Sequence, residues 1–245
     1  MAFVFLFKYI FYFSLHLIEL PIPHTIVRTA LALIVLFFSA CNIAEKEGGK
    51  EEGIIEFDTK AVDDKHPLAG LAPSSATLKY KGDKFALEMS TMGMFNTAII
   101  GDLKAKTLAQ TVKFMDIKQA CVENEQDVAT DNKEYELKIE ETKETKKIAG
   151  KKCHKLKVTM VNNPSVTFDA WYTKELGMEN CNALTPYASV KGVLLDYRAK
   201  KMGLEMHFLA KSIKHIEVPD NTFEIPASLK IVSKEEMKQF FDNLQ

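Results

Sequence analysis

The stretch ATLKYKGDKFALEM, residues 76–89, sets the fold predicted for this chain. Apolar side chains occupy every second position on either side of a polar turn at residues 81–84, and a period of two is typical of half-buried β-strands. Two such strands joined by a short glycine-containing turn predict a β-hairpin with one apolar face. The residues on that face are Ala76, Leu78, Tyr80, Phe85, Leu87 and Met89.

The same alternation predicts further short strands along the chain. We expect them at residues 54–60, 96–100, 106–112, 135–140, 151–161, 166–172, 190–198 and 204–216. Residues 114–121 fit either a strand or a short helix, and the acidic residues 122–132 predict a loop.

The last segment predicts a helix, because Ser233 and Glu236 have the spacing of a capping box. Apolar residues of the following turns share one face of that helix, namely Met237, Phe240, Phe241 and Leu244. Strands followed by one amphipathic helix predict a mainly β fold, a curved antiparallel sheet with the C-terminal helix on its open side.

The first 40 residues predict an export signal. An apolar run at residues 30–38 follows Arg28 and ends in Ser39 and Ala40, the pattern of a cleaved secretory signal. Because a cysteine comes next, residues 38–41 resemble a bacterial lipobox. We therefore expect Cys41 to be lipidated and to anchor the chain in the cell envelope, at the outer membrane, on its periplasmic face or at the cell surface. Residues 30–40 are too short for a spanning helix, which needs about 20 apolar residues.

A second apolar run at residues 2–20 leaves two interpretations open. Translation could start at Val27, or the extreme N-terminus could be a membrane helix. Residues 41–53 are polar, charged and glycine-containing, which predicts a flexible tether. The expected organisation is thus a signal region at 1–40, a tether at 41–53 and a single β-rich domain at 54–245.

The bulk composition limits the partners and the redox chemistry. The net charge of −1 lacks the basic excess of a nucleic-acid-binding protein, so we expect no nucleic-acid partner. Once Cys41 is lipidated, Cys121, Cys153 and Cys181 remain, and an oxidising envelope allows one disulfide among them. The sequence leaves the pair undecided; we favour Cys153–Cys181, because both flank the same predicted strand pair.

Three short segments resemble known envelope proteins of Bacteroidota. They are KIAGKKCH at residues 147–154, WYTKEL at 171–176 and NTFEIP at 221–226. The chain is similar to lipoproteins that carry a domain of unknown function (DUF4412-like), related to the GLPGLI and LolA/LolB-like half-barrel families. The resemblance implies a half-barrel whose concave apolar surface could hold an acyl chain, and it implies no catalytic residues.

The favoured functional hypothesis is a non-catalytic protein that binds or carries a lipid or another apolar ligand. Burial of an acyl chain gains about 0.8 kcal/mol per CH₂ group. The candidate ligand-binding residues are Tyr80, Phe85, Leu87, Met89, Phe168, Tyr172, Met206 and Phe208. The same residues could instead pack as an ordinary core, which would favour a structural or interaction role in the envelope.

Two other hypotheses receive less support from the sequence. Met89, Met92 and Met94 lie close together, and thioethers suit Cu(I), so a copper-binding protein is an alternative. No motif of a hydrolase, metalloprotease or phosphate-binding loop occurs, so we predict no enzyme activity, no cofactor and no metal. Cys153 and His154 are adjacent on a predicted strand, where neighbours point to opposite faces, so they do not form a nucleophile–base pair. The sequence indicates no particular protein partner.

Overall fold

The computed structural model describes residues 48, 49, 51–201 and 203–244. The described residues all belong to one compact unit, residues 45–245. The predicted signal region and the lipidation site Cys41 lie outside the described residues. No helix in the described part is long and apolar enough to cross a membrane.

Twelve strands, two α-helices and two 3₁₀-helices make up the described domain. The strands are β1 Glu52–Ala61, β2 Ser75–Lys81, β3 Lys84–Thr91, β4 Phe95–Asp102, β5 Thr107–Phe114, β6 Ile117–Glu123, β7 Leu137–Ile148, β8 Lys151–Met160, β9 Asn163–Thr173, β10 Val193–Lys201, β11 Leu204–Lys214 and β12 Lys230–Ile231. The α-helices are α1 Glu125–Glu134 and α2 Lys234–Asp242, and the 3₁₀-helices are Pro67–Leu71 and Asp220–Phe223. The predicted mainly β class is confirmed.

The strands form one large open sheet in the order β12-β6-β5-β4-β3-β2-β1-β11-β10-β9-β8-β7. Consecutive strands β1 to β6 pair as antiparallel neighbours, and so do β7 to β11. The chain joins the two halves where β11 returns to pair with β1. Only β12 runs parallel to its neighbour, β6. Antiparallel pairing therefore dominates the sheet.

The hairpin that the sequence singled out is β2–β3. Leu78 lies opposite Leu87 and Tyr80 lies opposite Phe85, so the alternating apolar residues share one face as predicted. Gly82 in the turn has φ 55°, a conformation that glycine adopts without steric cost. The remaining predicted strands are also present, and the ambiguous residues 114–121 contribute most of strand β6.

Helix α1 is where the secondary-structure prediction is wrong, because residues 122–132 were expected to form a loop. Asn124 accepts hydrogen bonds from the backbone N–H groups of Gln126 (2.8 Å) and Asp127 (3.1 Å). Asp127 in turn accepts a hydrogen bond from the N–H of Asn124 (3.1 Å), which completes a capping box. The acidic residues in the first turn, Glu125 and Asp127, also suit the positive end of the helix dipole.

Helix α2 confirms the prediction made from Ser233 and Glu236, which form its capping box. Its buried residues Met237 and Phe241 pack in one cluster with Val112 of β5 and Cys121 of β6. The helix therefore covers the apolar face of the sheet at the β5–β6 end.

The expected disulfide Cys153–Cys181 is wrong. Cys121, Cys153 and Cys181 are all free thiols. The Cys153 thiol donates to the backbone carbonyl of Lys151 (3.5 Å), and the Cys181 thiol donates to that of Gly192 (3.3 Å). Each of these two thiols is thus hydrogen-bonded to a nearby backbone carbonyl and not joined to the other cysteine. The number and spacing of cysteines in the sequence could not predict this arrangement.

Candidate ligand-binding site

The sheet curves around two adjoining apolar cavities. Their volumes are about 190 Å³ and about 110 Å³. Both are lined by Ile99 of β4 and Tyr197 of β10, two strands that are separated in the sheet order by β3, β2, β1 and β11. In a flat sheet these strands would lie about 24 Å apart, at about 4.8 Å per spacing. That both strands reach the same cavities means that the sheet bends strongly.

The larger cavity is closed by helix α1 and by residues 178–187, an irregular segment between β9 and β10. The buried amide of Asn182 donates to the carbonyls of Val190 (3.0 Å) and Gly192 (2.7 Å), which fixes the segment against the start of β10. The Tyr187 hydroxyl donates to the carbonyl of Arg198 (2.8 Å). The wall is thus held by specific hydrogen bonds.

A bulge explains why Tyr187 finds a free acceptor on β10. Strands β9 and β10 pair at only three positions, and the register shifts between Leu194 and Asp196. Beyond that point β9 leaves β10, so backbone groups of β10 need other partners. Tyr187 fills the gap, and its ring packs edge-on against Tyr197 with 6.1 Å between ring centroids.

The smaller cavity is closed by the 3₁₀-helix at Pro67–Leu71, by helix α2 and by Leu244 just beyond the end of that helix. Leu68 and Leu71 form one wall, and Phe241 and Leu244 form another. Its floor includes Phe208, which stacks on Tyr197 with 5.0 Å between ring centroids.

An ion-pair cluster lies beside the boundary between the two cavities, because Lys201 lines both of them. The Lys201 ammonium donates to both carboxylate oxygens of Glu123 (3.0 and 2.9 Å) and to Asp131 (3.0 Å). Lys234 donates to the other oxygen of Asp131 (2.6 Å). The cluster joins β10, β6, α1 and α2, and its two positive and two negative charges balance.

The titratable groups of the site are tuned by burial and by these ion pairs. Burial alone would raise the pKa of Asp131, but the hydrogen bonds and charges of Lys234 and Lys201 outweigh it, and the pKa is lowered. Burial raises the pKa of Tyr80 to about 12 and the pKa of Cys181 to about 12. The hydroxyl and the thiol of the lining are therefore neutral at physiological pH.

Six of the eight predicted ligand-binding residues line the cavities. Tyr80 and Phe85 line the larger one, Leu87 lines both, and the smaller one adds Met89, Met206 and Phe208. Phe168 and Tyr172 line neither cavity and pack with Leu156 and Val158 in a buried cluster that reaches the larger cavity through Tyr187. That the six residues bind a ligand stays a prediction.

The residues that close the larger cavity are not among the predicted site residues. Val128 and Tyr135 belong to α1 and its C-cap, which were not predicted as helical, and Cys181, Leu184 and Tyr187 belong to the irregular segment. The spacing of Asn124 and Asp127 was an available signal for the helix. The irregular segment has no periodic pattern that could have revealed it.

The methionines of the copper hypothesis lie in two different environments. Met89 lines the smaller cavity, whereas Met92 and Met94 are 89% and 68% exposed in the β3–β4 turn. Among the described residues, no group of three or more His, Cys, Asp or Glu side chains is placed to hold a metal ion. Copper binding by the thioethers stays a prediction.

Comparison with known proteins gives a family and a fold. Residues 103–232, more than half of the chain, match the family described as the N-glycanase peptide N-terminal domain. The solved structure of PNGF-II in space group P21 is similar at 16% identity and a TM-score of 0.51, over 79% of this chain and 34% of that chain. PNGF-II in space group C2 gives 18% identity and a TM-score of 0.49, over 79% and 32% of the two chains. This chain thus spans about a third of the length of PNGF-II. No curated protein matches it in sequence.

These matches correct the resemblance drawn from the sequence. The assignment to a DUF4412-like, GLPGLI or LolA/LolB-related family is wrong, and the description as a LolA-like lipid-binding lipoprotein is wrong with it. Its motifs were short strand and turn segments, and residues 147–154 and 171–176 form parts of β7 to β9 that many antiparallel sheets could share. The anchor predicted at Cys41 depends on other residues and is a separate question. The chain belongs to the family of the N-glycanase peptide N-terminal domain.

Proposed function

We propose that this chain is a non-catalytic binding module that holds a compact apolar ligand inside its curved sheet. The observation that carries the proposal is the pair of adjoining apolar cavities, about 190 and about 110 Å³, which share Leu87, Ile99 and Tyr197. Native cores contain few voids larger than a water molecule. Space of this size between closing elements that are themselves held in place favours a binding role over ordinary core packing.

The size of the cavities selects the class of ligand. An engineered apolar cavity of about 150 Å³ stays dry and binds benzene, whereas drug-sized ligands occupy about 300–1,000 Å³. The larger cavity, about 190 Å³, therefore suits a molecule of one or two rings better than a long acyl chain. Within the described residues the buried Tyr80 hydroxyl has no hydrogen-bond partner, but its oxygen has almost no accessible surface, so we expect apolar contacts to hold the ligand.

The test is binding of small aromatic probes to the full chain. Leu87→Trp should fill the space shared by both cavities, and Leu209→Trp is the matched control, because Leu209 is 39% exposed. We expect indole or naphthalene to raise the melting temperature of the unmodified chain and of Leu209→Trp, but not of Leu87→Trp. Equal responses in all three proteins would overturn the proposal. If dodecanoate bound more tightly than the ring compounds, the ligand class would be an acyl chain and not a compact ring compound.

The absence of catalysis is part of the proposal. The carboxylates beside the cavities support it, because Glu123 and Asp131 are held in ion pairs with Lys201 and Lys234. A general acid needs a raised pKa, but that of Asp131 is lowered. We expect the chain to release no glycan from a denatured N-glycosylated protein. Glycan release that persists through repeated purification of the chain and is lost in Asp131→Asn would refute the proposal that the chain is non-catalytic.

A second candidate function follows from the N-glycanase name of the family. The opposite face of the sheet carries an open groove of about 560 Å³, and eight of its seventeen lining residues carry a hydroxyl or an amide. Thr77 and Thr222 lie on its two sides. If the groove binds saccharide, an N-glycan oligosaccharide should bind the full chain, and Thr77→Val with Thr222→Val should weaken binding while leaving the melting temperature unchanged. Absence of binding to the unmodified chain would exclude this candidate.

We also propose that Cys41 anchors the chain in the envelope, on the strength of residues 38–41. Stable attachment to a bilayer takes more than one acyl chain or a second membrane contact. Cys41→Ala should abolish labelling by a radioactive fatty acid and move the chain out of the membrane fraction. Unchanged labelling would exclude the anchor.

A further inference from the structure

Exposed apolar side chains are concentrated at one rim of the sheet. Eight large apolar side chains are exposed in the described part of the chain, and four of them lie at two turns. Met92 and Met94, in the β3–β4 turn, are 89% and 68% exposed. Met115, in the β5–β6 turn, is 81% exposed, and Ile117, the first residue of β6, is 39% exposed. We call these four residues the methionine rim.

The two turns are neighbours in space. Thr91 pairs with Phe95, Phe95 with Phe114, and Phe114 with Ile117, so one line of paired residues runs across all four strands beside the turns. Adjacent strands are about 4.8 Å apart. The centres of the turns are two spacings apart, about 10 Å, which makes the methionine rim a single patch.

Both turns place methionine in a conformation that favours other residues. Met92 and Gly93 have φ 50° and 72°, and the N–H of Met94 donates to the carbonyl of Thr91 (3.1 Å). Two positive φ angles in a closed turn are the pattern of type I′, for which Asn-Gly is the preferred pair. Met115 has φ 51° in a two-residue turn, where glycine is less strained. The sequence therefore keeps exposed methionines at the expense of fold stability.

Two lysines lie directly behind the rim. Lys113 of β5 is paired with Lys118 of β6, and like charges opposite each other destabilise a sheet. Both residues are exposed, and neither has an ion-pair partner among the described residues. One acidic residue, Asp116, lies in the turn between them.

We propose that the methionine rim inserts into the interfacial region of an anionic lipid bilayer, with Lys113 and Lys118 on the headgroups. Apolar side chains backed by cations are the combination that binds such a surface, because the acyl boundary buries the apolar tips and the negative surface potential attracts the ammonium groups. A projecting rim with unpaired like charges suits a planar anionic surface better than an apolar protein groove. The exposed apolar tips and the paired lysines are unfavourable in the free domain, and both become favourable on that surface.

The test separates membrane insertion from fold stability. In the full chain carrying Cys41→Ala, Met92→Asn should raise the melting temperature, because it creates the preferred Asn-Gly turn. The same change should weaken partitioning into vesicles of phosphatidylcholine and phosphatidylglycerol. Ala149→Asn is the matched control, since Ala149 and Gly150 have nearly the same angles, φ 47° and 79°, at the β7–β8 turn. It should raise the melting temperature and leave vesicle binding unchanged.

The complete rim variant Met92→Asn/Met94→Ser/Met115→Gly should reduce partitioning roughly tenfold or more, from the apolar area that no longer enters the bilayer. Lys113→Gln and Lys118→Gln should each reduce binding to anionic vesicles by about fivefold and leave binding to pure phosphatidylcholine unchanged. The Leu209→Ser variant, on an exposed apolar residue of β11, should behave as the unmodified chain. Equal partitioning of the rim variant and of Leu209→Ser would overturn the proposal. So would a dimer in solution that dissociates in the rim variant without any change in vesicle binding.

Discussion

The ion-pair cluster beside the cavities leads to the sharpest stability prediction. Lys201 contacts Glu123 through both carboxylate oxygens, and the Glu123 side chain is only 3% exposed. Lys201→Met keeps the length of the side chain but leaves that carboxylate buried without a partner. Breaking a buried ion pair from one side costs about 3–5 kcal/mol. Asp131 loses less, because it keeps its 2.6 Å contact with Lys234.

The assay is urea unfolding of the full chain, followed by far-UV circular dichroism and by the fluorescence of Trp171. We expect Lys201→Met to lower the free energy of unfolding by about 3–5 kcal/mol. The double variant Lys201→Met/Glu123→Gln should recover at least half of this loss, because it removes the buried charge as well. Lys106→Met is the control for an exposed pair: Lys106 and Glu125 are 56% and 63% exposed, and we expect a change within about 1 kcal/mol.

A loss below about 1 kcal/mol in Lys201→Met would refute the reasoning, because Glu123 would then have water or another cation within reach. If the double variant were as unstable as Lys201→Met, the buried charge of Glu123 could not be the cause of the loss. In that case the lysine would stabilise the fold through packing of its aliphatic stem, and the charge pair would contribute little.

Three further predictions concern a helix cap, a close contact and the effect of pH. Asn124→Ala should lower the free energy of unfolding by about 1 kcal/mol, because α1 loses its N-cap, and Asn124→Asp should behave as the unmodified chain; equal stability of the two variants in urea would contradict this. Gly101→Ala should destabilise the fold by about 1–3 kcal/mol, because its added methyl group meets the Phe85 ring, whereas Gly70→Ala has open space; a similar melting temperature for both would argue against it. The Cys181 thiol has a pKa of about 12 in the folded chain, so the folded state keeps its proton after the unfolded chain has lost it. Stability should therefore fall as the pH rises above about 9, and less steeply in Cys181→Ala. The free energy of unfolding is measured by urea titration at pH 8 to 10.5. If it fell equally steeply in the unmodified chain and in Cys181→Ala, Cys181 would not be a cause of the pH dependence.

The sequence by itself determined the strands, their apolar faces and helix α2. Alternation of apolar and polar residues and the Ser233–Glu236 capping box are local patterns, and they act over a few residues wherever those residues end up. That is why Leu78, Leu87 and Met206 could be assigned to the inner face before any pairing was known. The same local reasoning would have found α1 from Asn124 and Asp127, had the acidic composition of the segment not been given more weight.

Tertiary structure alone decided how the sheet closes and where it leaves space. The bulge at Leu194–Asp196 frees the Arg198 carbonyl for Tyr187, and Lys201 meets Glu123 across more than seventy residues of chain. Phe168 and Tyr172 show the same limit, because they pack with Leu156 and Val158 and line neither cavity, although Tyr172 is still paired with Leu194 of β10. An alternating sequence pattern predicts the face of the sheet on which a residue lies. It does not predict which residues from distant parts of the chain contact it. The cavities depend on those distant contacts, so only the folded chain reveals them.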